Sequence, residues 1–227
     1  MRKFAAAFLA KGLPLHLLIN NAGFCNLFAK EIALTPAGIE DTFAANHLGP
    51  FLLTNLLLDK VKASAPSRII NLSSNAHGFA EYPIDLDDIN HTKQPVFKTL
   101  TAYSHAKLAN ILHARELAER LRSLDVHAVS VHPGAVRTQG VQKQFESTSA
   151  YESFVEQFNV SPIDVTHGAA TTIYTALSDD PAILDHEGNY FDEAHVEEVN
   201  GFPRHDPASI DLQRRLWAVS EKLTAEK

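Results

Sequence analysis

Tyr103 and Lys107 stand four positions apart in Tyr103-Ser104-His105-Ala106-Lys107, inside a segment whose pattern predicts a helix from about Thr101 to Leu121. On a helix that spacing puts both side chains on one face. A free phenol titrates near pH ~10, and an ammonium within about 4–6 Å favours the phenolate, so the pair has the ingredients of a tyrosine that exchanges a proton near neutrality. The same spacing occurs by chance in many helices, so the pair acquires meaning only in company. Asn46, just before Gly49-Pro50, is either an amide that bonds backbone freed by a distorted helix or a participant in chemistry. Ser73-Ser74 closes one apolar run and Asn20-Asn21-Ala22-Gly23 closes another. Small and amide residues at a strand end admit a ligand or backbone closely, or form an ordinary turn.

The elements that must position these residues alternate in type. Residues 2–11 read as a short helix, ended by Gly12 and Pro14. Leu15 to Ile19 is a compact apolar run of the kind buried on both faces of a parallel sheet. Arg68 to Leu72 and Val126 to Val131 are similar runs, and Gly188 to Phe191 reads as a last short strand. Thr35-Pro36 has the form of a helix start, and the helix predicted from it runs to about Lys62 with a kink at Gly49-Pro50. Residues 75–100, with Gly78, Pro83 and Pro95, read as a long loop containing one helical turn, and residues 139–160 as a helical flap. Helices from Asp164 to Leu177 and Pro207 to Leu223 complete the pattern. The alternation predicts an α/β fold with a parallel sheet, in one domain over residues 1–227.

Composition narrows the function. With 227 residues, 45% of them hydrophobic, the chain can bury one sizeable core. A net charge of -7, without a basic run, argues against a nucleic-acid partner. The single Cys25 fits a reducing compartment, and a cytoplasmic location is expected. Arg2 and Lys3 before Phe4 to Ala10 imitate a signal peptide, but the run is short and Lys11 interrupts it. No stretch has the ~18–20 apolar residues of a membrane span. Among the 12 histidines, His105, His113, His127 and His132 show no ligand spacing, and no metal site is expected.

Taken in order, Asn20-Asn21-Ala22-Gly23, Asn46, Ser73-Ser74, Tyr103 with Lys107, and Pro133-Gly134 with Thr138 resemble the motifs of the short-chain dehydrogenase/reductase family. The likeness runs from about residue 2 to the C-terminus. Asn46-His47-Leu48-Gly49-Pro50-Phe51, Tyr103 through Asn110, and His132-Pro133-Gly134 are similar to the wording of the retinol dehydrogenase and WW-domain oxidoreductase group. The resemblance implies a Rossmann-like, doubly wound parallel sheet and NAD(P)-dependent interconversion of an alcohol and a carbonyl. It implies Tyr103 as general acid/base and Lys107 as the group that lowers its pKa and holds the nicotinamide ribose. Ser74 would hydrogen-bond the substrate oxygen, and Asn46 would anchor a water in a proton relay. Asn20, Asn21, Ala22 and Gly23 would line the adenosine side of the cofactor. Pro133, Gly134, Val136 and Thr138 would line its nicotinamide and phosphate side.

The family's Gly-rich turn, whose amides cradle a pyrophosphate, is absent from this sequence. The likeness begins in the helix before the family's fourth strand, so an N-terminally truncated partial domain without the first three strands is expected. In the family order 3-2-1-4-5-6-7 the run Leu15 to Ile19 lies mid-sheet; here it is expected at an apolar, unpaired edge, with Leu17 or Ile69 unusually exposed. The resulting expectation is weak binding or none, with NADP(H) favoured over NAD(H) on the retinol dehydrogenase-like wording. The alternative is a non-catalytic module that forms homo-oligomers through the open edge. A serine hydrolase using Ser74 lacks the Gly-x-Ser-x-Gly elbow. Phe79, Phe97, Phe145, Phe154 and Phe158, in the loop and flap, either line a site for a lipophilic carbonyl or alcohol or belong to the core.

Overall fold

A computed structural model describes residues 1–94, 96–157 and 160–225, so Pro95 of the long loop and Phe158 of the aromatic set lie outside the described residues. Helix α1 (Arg2–Leu9) leads into strand β1 (Leu17–Asn20). Helix α2 (Asp41–Phe43), a π-helical turn (Ala44–Leu48) and α3 (Gly49–Lys62) carry the chain to β2 (Ser67–Leu72). A 3-10 turn (Asn75–Gly78) opens the loop before α4 (Thr99–Arg120), which returns to β3 (Val126–His132). Helices α5 (Gln139–Gln142), α6 (Thr148–Gln157), α7 (Val165–Leu177) and α8 (Pro181–Leu184) precede a hairpin of β4 (Tyr190–Asp192) and β5 (His195–Glu197). Helix α9 (Pro207–Thr224) follows.

The sheet runs β1-β2-β3-β4-β5, parallel through β4 and antiparallel between β4 and β5. Successive residues of a strand point to opposite faces, and each face has its own cover. Ile69 joins Leu18, Phe51, Leu117 and Trp217 in a core closed by α1, α3, α4 and α9. Ile70 joins Val129, Phe191 and Ile183 beneath α7 and α8. All of β3 is buried, its valines, Ala128 and Ser130 alongside His127 and His132. The α/β parallel architecture, the predicted strands and the edge position of β1 are as expected.

Three local expectations need correction. No helix starts at Thr35-Pro36: the Gly38 N–H closes a turn on the Thr35 carbonyl at 2.8 Å, and Gly38 has φ +75°. The helix starts after Glu40, whose fully buried carboxylate accepts from the amides of Thr42 (3.0 Å) and Phe43 (2.7 Å). Ile69 is not exposed, because its face is the one roofed by four helices; the exposed residue of the edge region is Ile19, at 39%. Helix α8 and strand β5 were not expected, being too short to show a period.

The two isoleucines separate core from edge. Ile69→Ala should cost about 2–5 kcal/mol in denaturant unfolding, and Ile19→Ala under about 1 kcal/mol. Equal costs would contradict the assignment of faces.

Candidate active site

The loops at the carboxyl ends of β1, β2 and β3 converge on the first turns of α4, where open α/β sheets place their ligands. Tyr103 is half-buried on α4, and Lys107, 5% exposed, lies on the same face with its Nζ 5.5 Å from the phenol ring centroid. Lys107 Nζ donates to the carbonyl of Leu72, the last residue of β2, at 3.1 Å. Ser74, two residues on, takes an extended conformation, accepts the Ala76 amide at 3.1 Å and hydrogen-bonds Tyr103. Ser73 turns inward instead, donating to the Lys107 carbonyl at 2.7 Å.

Asn46 arrives through the π-helical turn. Pro50, four residues later, has no N–H to give the Asn46 carbonyl, and Asn110 Nδ2 takes that place at 3.0 Å. The Asn46 side chain clamps the loop after β1: its Oδ1 accepts from Phe24 N (2.9 Å), and its Nδ2 donates to the carbonyls of Phe24 (2.7 Å) and Thr42 (2.8 Å). Both amide protons of Asn46 are therefore committed to backbone, and its geometry is that of a residue holding the loop. Gly23 fits beside it because a Cβ there would stand 2.5 Å from Asn46 Oδ1 and 3.2 Å from Lys107 Nζ.

The electrostatics correct the expected activation of the tyrosine. Burial pushes the Tyr103 phenol up to about 12, assisted by Cys25 and opposed by the Ser74 hydrogen bond. Burial also presses Lys107 down to about 8, with Cys25 opposing. Desolvation of both groups outweighs their proximity, and the ammonium is directed at the Leu72 carbonyl. Cys25 itself is raised to about 11 by burial and by Glu40.

The remaining predicted residues divide. Asn20 is buried in a structural network, donating to Thr54 Oγ1 (2.9 Å) and Asn71 Oδ1 (2.8 Å), and so does not line the cleft with its side chain. Asn21 and Ala22 are exposed at the cleft mouth. Pro133 and Gly134 follow β3, and Gly134, with φ +85°, packs where a Cβ would stand 2.6 Å from Ile163 Cδ1. Val136 pairs with Ile163, and Thr138 caps α5 by accepting the Val141 amide at 3.2 Å. Sequence reasoning missed Cys25, His47 and Asn110. The first adjoins a motif already noted, and the last lies on the Tyr103 face seven residues along the helix. Among the described residues no group of three or more His, Cys, Asp or Glu side chains suits a metal ion, and no helix is long and apolar enough to cross a membrane.

The buried pair fixes a pH dependence of stability. Below pH 8 the lysine is charged folded and unfolded, and the fold bears the penalty of burying it, on the order of 3 kcal/mol. As pH rises from 8 toward 10.5 the folded lysine loses its proton first, so this penalty fades and stability climbs. Above about pH 9 the unfolded Cys25 thiol, and above pH 10 the unfolded phenol, ionise before the folded Cys25 and Tyr103, so both groups oppose the climb and stability then falls again. Denaturant unfolding should show a rise between pH 8 and 10 in the wild type that Lys107→Met lacks; parallel profiles would contradict the burial assigned to Lys107.

Comparison with known proteins bears on the family of the chain. The short chain dehydrogenase family profile matches residues 1–84. The chain is 39% identical over 220 residues to human retinol dehydrogenase 11, covering 97% of this chain and 64% of that protein. It is 35% identical over 232 residues to human WW domain-containing oxidoreductase, covering 100% of this chain and 53% of that protein. A crystal structure of an uncharacterised protein from Mycobacterium paratuberculosis aligns with a TM-score of 0.67 and 29% identity, over 98% of this chain and 70% of the other. The chain thus spans less than two thirds of the length of these two curated relatives. Across the part it shares with them, the chain belongs to the short-chain dehydrogenase/reductase family.

Proposed function

We propose that this chain carries the proton-handling half of an NAD(P)-dependent oxidoreductase that interconverts an alcohol and a carbonyl. The observation that supports it best is the buried face of α4, on which Tyr103 and Lys107 meet Ser74 at the carboxyl ends of the strands. In this reading Tyr103 Oη moves a proton to or from the substrate oxygen. Ser74 Oγ orients that oxygen, and Asn46 holds the Phe24 loop against the cleft. Lys107 contributes positive charge beneath the ring. When bound, the dinucleotide supplies or accepts the hydride.

The residues present fit that cofactor at one end only. At the nicotinamide end Tyr103, Lys107 and Ser74 stand together, and Gly23 lets the loop after β1 pack directly against Asn46 and Lys107. Among the described residues the helix that follows β1 begins at Asp41, and the Glu40 carboxylate already occupies its first amides, so that helix start does not receive a phosphate. Binding is accordingly weak. NADP(H) is favoured over NAD(H), and a lipophilic alcohol is favoured as substrate, on the retinol dehydrogenase-like wording. The packing of Phe28, Tyr151 and Phe154 around Phe145, at 5.2–5.4 Å between ring centroids, supplies an apolar rim consistent with such a substrate. The single cysteine, free of any disulfide, suits a cytoplasmic setting.

A second reading, self-association through the open edge, is supported by one observation. Among the described residues β1 pairs only with β2, its Ile19 is exposed, and α7 leaves Val165, Ile173 and Leu177 uncovered. Light scattering separates the two readings: a monomer with cofactor affinity supports the enzyme, and an obligate oligomer without it supports the module. For the enzyme, Tyr103→Phe should remove any alcohol or carbonyl turnover, and Ser74→Ala should lower it about 10²–10⁴-fold. Full turnover by Tyr103→Phe would take the tyrosine out of its role.

A further inference from the structure

A line of buried side chains ties the candidate site to the C-terminal helix. Lys107 Nζ and Asn110 Nδ2 both donate to the Leu72 carbonyl, at 3.1 and 2.9 Å, so one oxygen at the end of β2 receives two side chains of α4. The second amide proton of Asn110 goes to the Asn46 carbonyl at 3.0 Å. With both amide protons thus directed, Asn110 Oδ1 must be an acceptor, and it faces His47 Nδ1 at 3.3 Å. His47 Nε2 lies 2.8 Å from Ser220 Oγ on α9. His47 and Ser220 are fully buried, and Asn110 is 3% exposed.

The donor pattern has one consistent solution. Ser220 Oγ–H donates to His47 Nε2, His47 Nδ1–H donates to Asn110 Oδ1, and Asn110 donates to Leu72 and Asn46. Burial keeps His47 neutral by lowering it to about 4, which this single-tautomer arrangement requires. The amide in the middle does not shuttle protons, so the line holds groups in place and is not a proton wire.

We propose that Asn110, oriented by His47 and Ser220, is a positioning residue that fixes the Leu72 carbonyl under Lys107 and the Asn46 backbone beside it, so that α9 sets the geometry of the candidate site. The catalytic consequence rests on the oxidoreductase reading above; the geometric one does not. His47→Leu removes the donor to Asn110, His47→Gln keeps an amide able to donate one way and accept the other, and Ser220→Ala removes only an oxygen.

The test follows Lys107 directly, by NMR titration of the purified chain labelled with ¹³C at the lysine ε carbons, with Lys107→Met to assign the signal. Wild type and His47→Gln should titrate near pH 8. His47→Leu and Ser220→Ala should titrate about half a unit or more lower, because the ammonium loses a fixed acceptor. If His47→Leu fails to fold, Ser220→Ala carries the comparison. An unchanged Lys107 titration in a folded Ser220→Ala would overturn the proposal. In a turnover assay with NADPH and a lipophilic aldehyde, the same variants should lose about tenfold in kcat with KM little changed, and His47→Gln should retain activity. A wild type without turnover would sink the oxidoreductase reading while leaving the titration to judge the network; turnover unaffected in every variant would overturn the catalytic consequence.

Discussion

A lysine side chain held almost entirely out of water is the constraint around which this structure is arranged. Its ammonium has the Leu72 carbonyl as hydrogen-bond acceptor, and that carbonyl is available because β2 ends there and Ser73 turns inward to the α4 backbone. A buried charge without partners costs several kcal/mol, so the surrounding elements are fixed by the need to hold this one. Asn110 holds the same carbonyl, Asn46 holds the loop that closes over the lysine, and the π-helical turn places Asn46 and His47 where both can act.

The same burial explains why the resting site is not yet poised. Spacing alone argues for a phenol of lowered pKa, whereas the folded environment raises Tyr103 to about 12 because a phenolate there is poorly solvated. A site of this kind needs a further favourable charge or donor to bring the tyrosine toward neutrality. Under the oxidoreductase proposal, that contribution would come with the bound cofactor.

Legibility in the sequence followed the range of the interaction. The strands could be read because parallel strands buried on both faces are short, mostly apolar and rich in Val and Ile, and Tyr103 with Lys107 because helical period is local. The helices from Asp164 to Leu177 and from Pro207 to Leu223 fell close to their predicted bounds, and the structure shows each begun by an aspartate cap, Asp164 and Asp206. The π-helical turn was hidden, since it depends on Asn110, remote in sequence, to satisfy the Asn46 carbonyl. Glu40 was hidden for a similar reason: a buried acid that caps a helix looks like any surface glutamate until the fold covers it. Asn20 looked like a cleft residue because it ends a strand, but its amide is claimed by Thr54 and Asn71.

The central proposal is that Tyr103, Lys107 and Ser74 make up the nicotinamide end of a dinucleotide site, while the described residues of this chain supply no amide cradle for the phosphates. Calorimetric titration of the purified chain with reduced nicotinamide mononucleotide, NADPH and NADH measures this directly. Comparable, weak affinities for all three, and no binding of an adenosine-only fragment, are the predicted result. Micromolar binding of either dinucleotide, at least a hundredfold tighter than the mononucleotide, would contradict the account.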